Sequence, residues 1–323
     1  MNSSRQISKV MTNDGTMSRV DPASPAADTR AAVTLDELLD LLDLSCVGEP
    51  TGRVSHWIGQ PQQHPAGRLF GGLLLAQALV AAGRGIRTDQ RIISLQADFV
   101  GGVPTDRPLH WEVTVVSDAP SLATRRSRLL DDTGEELFGA VTRWATVRDD
   151  LPSYSSARRA PAPDPETLPD HADRFGSDER IPPWWRLRRP IHFRHAVAPP
   201  YVTLAEPNDR QTTFFRATGP LPDDAVLRAA LVAYVSDMSI LEASFLALGS
   251  ARHKPGARIL SLTHALTFHA AADLTEWHQF DCRVESIAHG RAHGVGELFD
   301  AAGRHVATAS QVGLVKTPTA DRE

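Results

Sequence analysis

The 323-residue chain holds only two cysteines, Cys46 and Cys282, far apart and outside any metal-binding spacing. Two isolated thiols build no disulfide framework and fit a reducing compartment. Long apolar runs are missing too. The longest, Leu69–Gly83, falls short of the ~20 residues a membrane-spanning helix needs. The first residues, MNSSRQISKV, lack the apolar core of a signal peptide. A cytoplasmic protein without a membrane span is expected. Basic charge is not in excess: the formal net charge is −5, which argues against nucleic acid or an anionic membrane as the main partner. Gly-x-Ser-x-Gly, His-Glu-x-x-His and Gly-x-x-x-x-Gly-Lys-Ser/Thr are all absent. Their absence argues against an α/β-type serine hydrolase, a zinc peptidase and a P-loop nucleotide enzyme. His289 and His293 are four residues apart, but Gly290 and Gly294 favour a turn there over a metal-holding helix. No metal site is expected there.

Against these absences stands one stretch, Ala229–Phe245. Leu231, Tyr234, Met238, Leu241 and Phe245 recur at three- and four-residue steps, the period of a helix. From Ala229 to Gly249 the only charged residues are Asp237 and Glu242. A helix apolar nearly all round is buried and needs other structure on most sides. Within one continuous helix, Asp237 shares the face of Tyr234 and Leu241. A carboxylate so placed is costly unless hydrogen-bonding partners meet it.

Along the chain, residues 1–33 are Ser-, Asp- and Ala-rich and read as a disordered tail. A capping box, Thr34-Leu-Asp-Glu37, opens a short helix. Gly67-Arg-Leu-Phe-Gly71-Gly72 turns into a second charge-free helix, Leu73–Ala82. Strands are expected at Val54–Gly59, Ile92–Val100, Leu109–Ser117, Leu122–Leu130 and Glu136–Thr146, with a hairpin turn at Asp131-Asp-Thr-Gly134. The Pro- and Arg-rich stretch 150–190, with the Trp184-Trp185 pair, reads as a surface linker. The basic cluster Arg186, Arg188, Arg189 and Arg194, at and just beyond its end, reads as a solvated face or as a partner for phosphates. Strands at Ile191–His195 and Thr212–Ala217 then lead to the Ala229 helix. Ile259–Phe268, Glu276–Ser286, Gly294–Phe299 and Arg304–Val315 follow, with a turn at Asp300-Ala-Ala-Gly303.

The two halves superpose. ISLQADF at Ile93 matches LSLTHAL at Leu260, which sets Ser94 opposite Ser261, Gly134 opposite Gly303 and Thr142 opposite Gln311. A repeat this long is a duplicated domain. Each copy is one long apolar helix followed by an antiparallel sheet: an α+β double hot dog, its units spanning 34–149 and 191–317, with a short tail at 318–323.

The strings RLFGGLLLAQALVAA, AYVSDMSIL, ILSLTHALTFH and GRHVATASQVGLV, in that order, resemble the type II acyl-CoA thioesterases. The resemblance runs from about Leu35 to Lys316. It implies hydrolysis of acyl-CoA on a double hot dog without metal or organic cofactor. It also implies a working trio of helix aspartate, strand Ser or Thr, and C-terminal glutamine: here Asp237, Ser261 and Gln311. Leu73 stands where the family usually has Gln, and Thr263 where it usually has Asp.

A thioester carbonyl is already electrophilic, so a positioned, partly deprotonated water suffices. Asp237 is the expected base, with a pKa raised by burial. Ser261 and Gln311 are expected to orient the water. Backbone N–H groups near Gly71 and Gly72, at a helix N-terminus, are the candidate oxyanion donors. One difficulty stands. Strict strand alternation puts Leu260, Leu262, Leu266 and Phe268 on one face and Ser261 on the other with Thr263 and Thr267. If the leucines face the helix, Ser261 reaches Asp237 only from a strand end or a bulge. A non-catalytic acyl-CoA binder and a thioesterase for acyl carrier protein are the alternative readings. Assembly of two or more chains is expected.

Overall fold

A computed structural model describes residues 34–62, 68–182, 186–202 and 206–317. The N-terminal tail, the Trp184-Trp185 pair and the last six residues lie outside them. Among the described residues, twelve strands, numbered in chain order, form one antiparallel sheet in the order β1-β2-β4-β5-β6-β3-β9-β12-β11-β10-β8-β7. The first six are β1 (Ser45–Thr51), β2 (Val54–Gly59), β3 (Gln90–Phe99), β4 (Leu109–Asp118), β5 (Leu122–Leu130) and β6 (Glu136–Thr146). The second six are β7 (Ile191–His195), β8 (Arg210–Ala217), β9 (Arg258–Phe268), β10 (His278–Ala288), β11 (Arg291–Phe299) and β12 (His305–Lys316). The halves join edge to edge where β3 pairs with β9, so two edges that would otherwise be open satisfy each other. The sequence reading missed β1, an exposed strand whose residues carry no alternation.

Helix α1 (Leu35–Leu41) starts at Thr34, whose hydroxyl accepts from Glu37 N while Glu37 returns a bond to the Thr34 backbone. Helix α2 (Gly71–Gly83) is buried at every residue from Gly72 onward, as its lack of charge requires. Its one polar side chain, Gln77, is fully engaged: it donates to Leu41 O and Gln60 O and accepts from Trp111 Nε1. The linker carries helix α3 (His171–Phe175). In the second half, α4 (Ala225–Ser236) packs antiparallel to α2: Gly72 lies against Tyr234 at one end, Gly83 against Val226 at the other.

The expected continuous helix over Ala229–Phe245 is broken. Asp237 caps α4, residues 237–242 are turns, and α5 (Ala243–Ala247) is a separate short helix. Side chains at the break compete with the helical backbone. Ser236 Oγ bonds to Ala233 O, Ser239 to Thr213, and Asp237 takes the Gly72 N–H. Asp237 thus ends the helix instead of lying within it.

The stretch 150–190 is anchored rather than loosely draped. Ala160 N donates to Asp281 Oδ2, and Gln279 Nε2 donates to Ala160 O. Glu166 accepts from Arg216, Arg194 and Trp277 Nε1, while both guanidiniums lie over the Trp277 ring at 4.3 and 4.7 Å. Cation–π stacking and charge-assisted bonds together hold the linker on β8 and β10.

Candidate active site

Strand β9 has the bulge that the strict pattern hides. Thr263 pairs with Val312 and Ser261 with Gly313, so Leu262 is left over. One extra residue switches the inward face. Ile259 and Ser261 face in on one side of the bulge, His264, Leu266 and Phe268 on the other. Leu260 and Leu262 point outward, 39% and 36% exposed. The single leucine-lined face of the strict reading therefore does not form.

The bulge brings three side chains together. Ser261 Oγ donates to Asp237 Oδ1 at 3.1 Å. Gln311 Nε2, from β12, reaches Asp237 Oδ1 at 2.6 Å and Ser261 Oγ at 2.7 Å. Asp237 Oδ2 faces the N-terminus of α2, where a methyl group on Gly71 would come within 2.6 Å of it. Burial pushes the Asp237 carboxyl up to about 6, and the bonds from Gln311, Ser261 and Gly72 N–H and the charge of Arg252 moderate the rise. Asp237, Ser261, Gln311 and Gly71 all line one cavity of about 630 Å³. Gly72 N–H is directed at Asp237, which leaves Gly71 as the glycine at the cavity wall.

The wall also carries charge. Glu242, 2% exposed, accepts from Tyr201 Oη at 3.0 Å and pairs with Arg252. Burial lowers Arg252 to about 10, so it stays cationic at neutral pH. Arg189 and the exposed Arg68, Arg188 and Arg258 border the same cavity. Of the basic cluster read from the sequence, Arg194 belongs to the Glu166 clamp, Arg186 bonds to Gly176 O, and Arg188 pairs with Asp173 at 3.2 Å. His289 sits in a turn at φ 50 beside Gly290, and His293 bonds to Ser310.

Among the described residues, the first half has no second copy of this site. Strand β3 bulges at Ile93: Ile92 pairs with Trp144 and Ser94 with Arg143. Matching the two bulges makes Ile92, not Ser94, the counterpart of Ser261, while Thr142 remains the counterpart of Gln311. Thr142 is occupied by Trp144 Nε1, and Trp144 stands where the second half has Gly313. The antiparallel helix pair puts Gly83 in the place of Asp237. Leu73, the departure in the first half, is fully buried in the core. Thr263 is exposed on the far side of the bulge.

Fold and site together define a double hot dog with one carboxylate–hydroxyl–amide cluster among the described residues. The acyl-CoA thioesterase N-terminal domain profile matches residues 60–146, and the C-terminal domain profile matches residues 159–315. The chain belongs to the acyl-CoA thioesterase family, hydrolases that act on thioesters. It is 25% identical to human acyl-coenzyme A thioesterase 8, over 92% of each chain. It is 21% identical to acyl-CoA thioesterase 2 of Haemophilus influenzae, over 87% of this chain and 98% of that one. Among solved structures, the acyl-CoA thioesterase II TesB2 of Mycobacterium marinum superposes with a TM-score of 0.70 at 26% identity, covering 87% of this chain and 99% of the other. No helix among the described residues is long and apolar enough to cross a membrane.

One buried residue beside the site escaped the sequence reading. His264, 1% exposed, lies directly opposite Gln311 in the β9–β12 ladder. Its signal was available: a histidine among leucines of a strand that holds a candidate site residue. Strict alternation gave it no route to the site.

Proposed function

We propose that the chain hydrolyses acyl-CoA to a free carboxylic acid and coenzyme A by direct attack of water. Asp237 is the general base, and Ser261 and Gln311 orient the water toward the thioester carbon, Gln311 through its bonds to the other two side chains. The water loses its proton to Asp237 as its oxygen bonds to that carbon. The tetrahedral oxyanion collapses, the C–S bond breaks, and the thiolate leaves to be protonated. Gly71 N–H, at the N-terminus of α2, is the candidate oxyanion donor. The observation that carries this reading is the convergence on one carboxylate, inside a cavity, of groups 24 and 74 residues away in sequence. The two hot-dog units are taken as 34–149 and 191–317, with 150–190 as the strap between them.

The cavity border fits coenzyme A. Arg68, Arg188 and Arg258 present exposed guanidiniums where the phosphates of the nucleotide would lie. The doubly substituted Arg68→Glu, Arg258→Glu protein is expected to raise KM for acyl-CoA about tenfold or more with kcat little changed, since these groups bind ground and transition states alike. Unchanged KM would take both arginines out of substrate binding.

Thiol release from a series of acyl-CoAs, short to long, tests the whole reading. The same acyl groups on acyl carrier protein form the second arm. Turnover of at least one acyl-CoA is expected. Tight calorimetric binding with no thiol released would make the chain a binder, and preference for the carrier-protein thioester would move the substrate class.

A further inference from the structure

Gln311 spends both of its short contacts through Nε2, on Asp237 Oδ1 and Ser261 Oγ. That fixes which way the amide faces, because the reverse orientation would set its carbonyl against a carboxylate. The carbonyl oxygen Oε1 is then buried and has no hydrogen-bond partner among the described residues. Across the ladder, His264 is in the same position. Its Nε2 is 2.9 Å from Ser236 Oγ, on the residue just before Asp237. Its Nδ1 is buried and also has no partner among the described residues.

A buried polar atom without a partner keeps its full desolvation penalty, and here each of the two is what the other needs. The choice rests on one proton. A ring protonated on Nε2 would donate to Ser236 and turn a lone pair on Nδ1 toward a carbonyl lone pair. A ring protonated on Nδ1 donates to Gln311, and Nε2 then takes the Ser236 hydroxyl proton in place of Ala233 O, the other acceptor at 2.9 Å from that hydroxyl. The Gln311 amide favours a proton on this imidazole, while burial lowers its pKa to about 4 and keeps the ring neutral at working pH.

We infer that His264 is a positioning residue: it carries its proton on Nδ1, donates it to Gln311 Oε1, and so locks the amide whose Nε2 holds Asp237 and Ser261. The chain Ser236–His264–Gln311 closes behind the trio and ties the end of α4 to β9 and β12. The first half supplies an internal comparison. There Leu95 occupies the equivalent ladder position opposite Thr142, so the imidazole is present only in the half with the carboxylate. This inference rests on the roles proposed for Asp237 and Gln311.

The first test needs no activity. In the unaltered protein with 15N-labelled histidine, the ring of His264 should show Nδ1 protonated and Nε2 not. The opposite tautomer overturns the inference, whether or not the chain releases thiol from any acyl-CoA. That separates its failure from failure of the functional reading. The second test is kinetic. His264→Leu, which copies the other half, should lower kcat about 10- to 100-fold with KM within about twofold. His264→Asn, whose amide nitrogen stands near the place of Nδ1, should recover most of the loss. Full kcat in His264→Leu, or no recovery in a folded His264→Asn protein, would reduce His264 to core packing.

Discussion

Asp237→Asn is expected to lower kcat at least ~100-fold, the low end for loss of a general base, and at the same time to raise stability at pH 7. Both results follow from one property of the site. The carboxyl titrates at about 6 in the fold and at about 3.8 in an ordinary setting. Between these values the folded protein keeps a proton that the unfolded chain has released. Stability therefore falls as pH rises through this window, and above about pH 6 the ionised side chain costs the fold on the order of 3 kcal/mol. Asparagine keeps the shape and removes the charge, so the cost disappears and the melting temperature at pH 7 rises by a few degrees. Below about pH 4 the parent and the variant converge. Activity runs the other way. The parent should gain kcat/KM with pH up to a plateau above about 6, because only the ionised carboxylate accepts the water's proton. Thermal melts at pH 4 and 7, with thiol release across the same range, measure both. A variant as active as the parent removes Asp237 from the chemistry; one less stable at pH 7 makes the carboxylate a structural anchor.

Which parts of this site were legible in the sequence follows from what each residue's placement depends on. Asp237 was visible because local composition alone marks it: one of two charges in a long apolar stretch. Gly134 and Gly303 were visible because hairpins of this kind require positive φ, which they adopt at +88 and +80. Ser261 was identified only through the family resemblance, since its orientation depends on one surplus residue, Leu262, and nothing local marks a bulge between two leucines. The same blindness misplaced Ser94, because matching the halves by sequence overlooked a second bulge at Ile93. The break after Ser236 was hidden for a related reason. Helical period continues through Leu241 and Phe245, and what ends the helix is a set of side-chain bonds to partners far away in the chain. Periodicity reports what a segment buries, while bulges and breaks report what it meets.

Gly72→Ala should damage the protein more broadly than any change to the trio. A methyl carbon there would overlap the carbonyl oxygen of Tyr234 and the ring of Phe70. The ring can rotate away, but the carbonyl belongs to the last turn of α4 and cannot. The two buried helices must separate at this end, against a core that packs at crystal density. Overpacking of this kind costs about 1–3 kcal/mol. Separation also draws Gly72 N–H off Asp237, and a misplacement of about 1 Å at a reacting group lowers rate ~100-fold. The variant should therefore melt lower and turn over slowly, with its pH midpoint moved upward, because one of the bonds holding the Asp237 pKa down is weakened. Gly102 provides the control. A methyl group there would meet no described atom within 4 Å, and its φ is not positive, so Gly102→Ala should leave both properties as they are. If Gly72→Ala loses stability yet keeps its kcat and its pH midpoint, then the approach of α2 to α4 serves packing alone, and the carboxylate is held by Ser261 and Gln311 without help from the helix terminus.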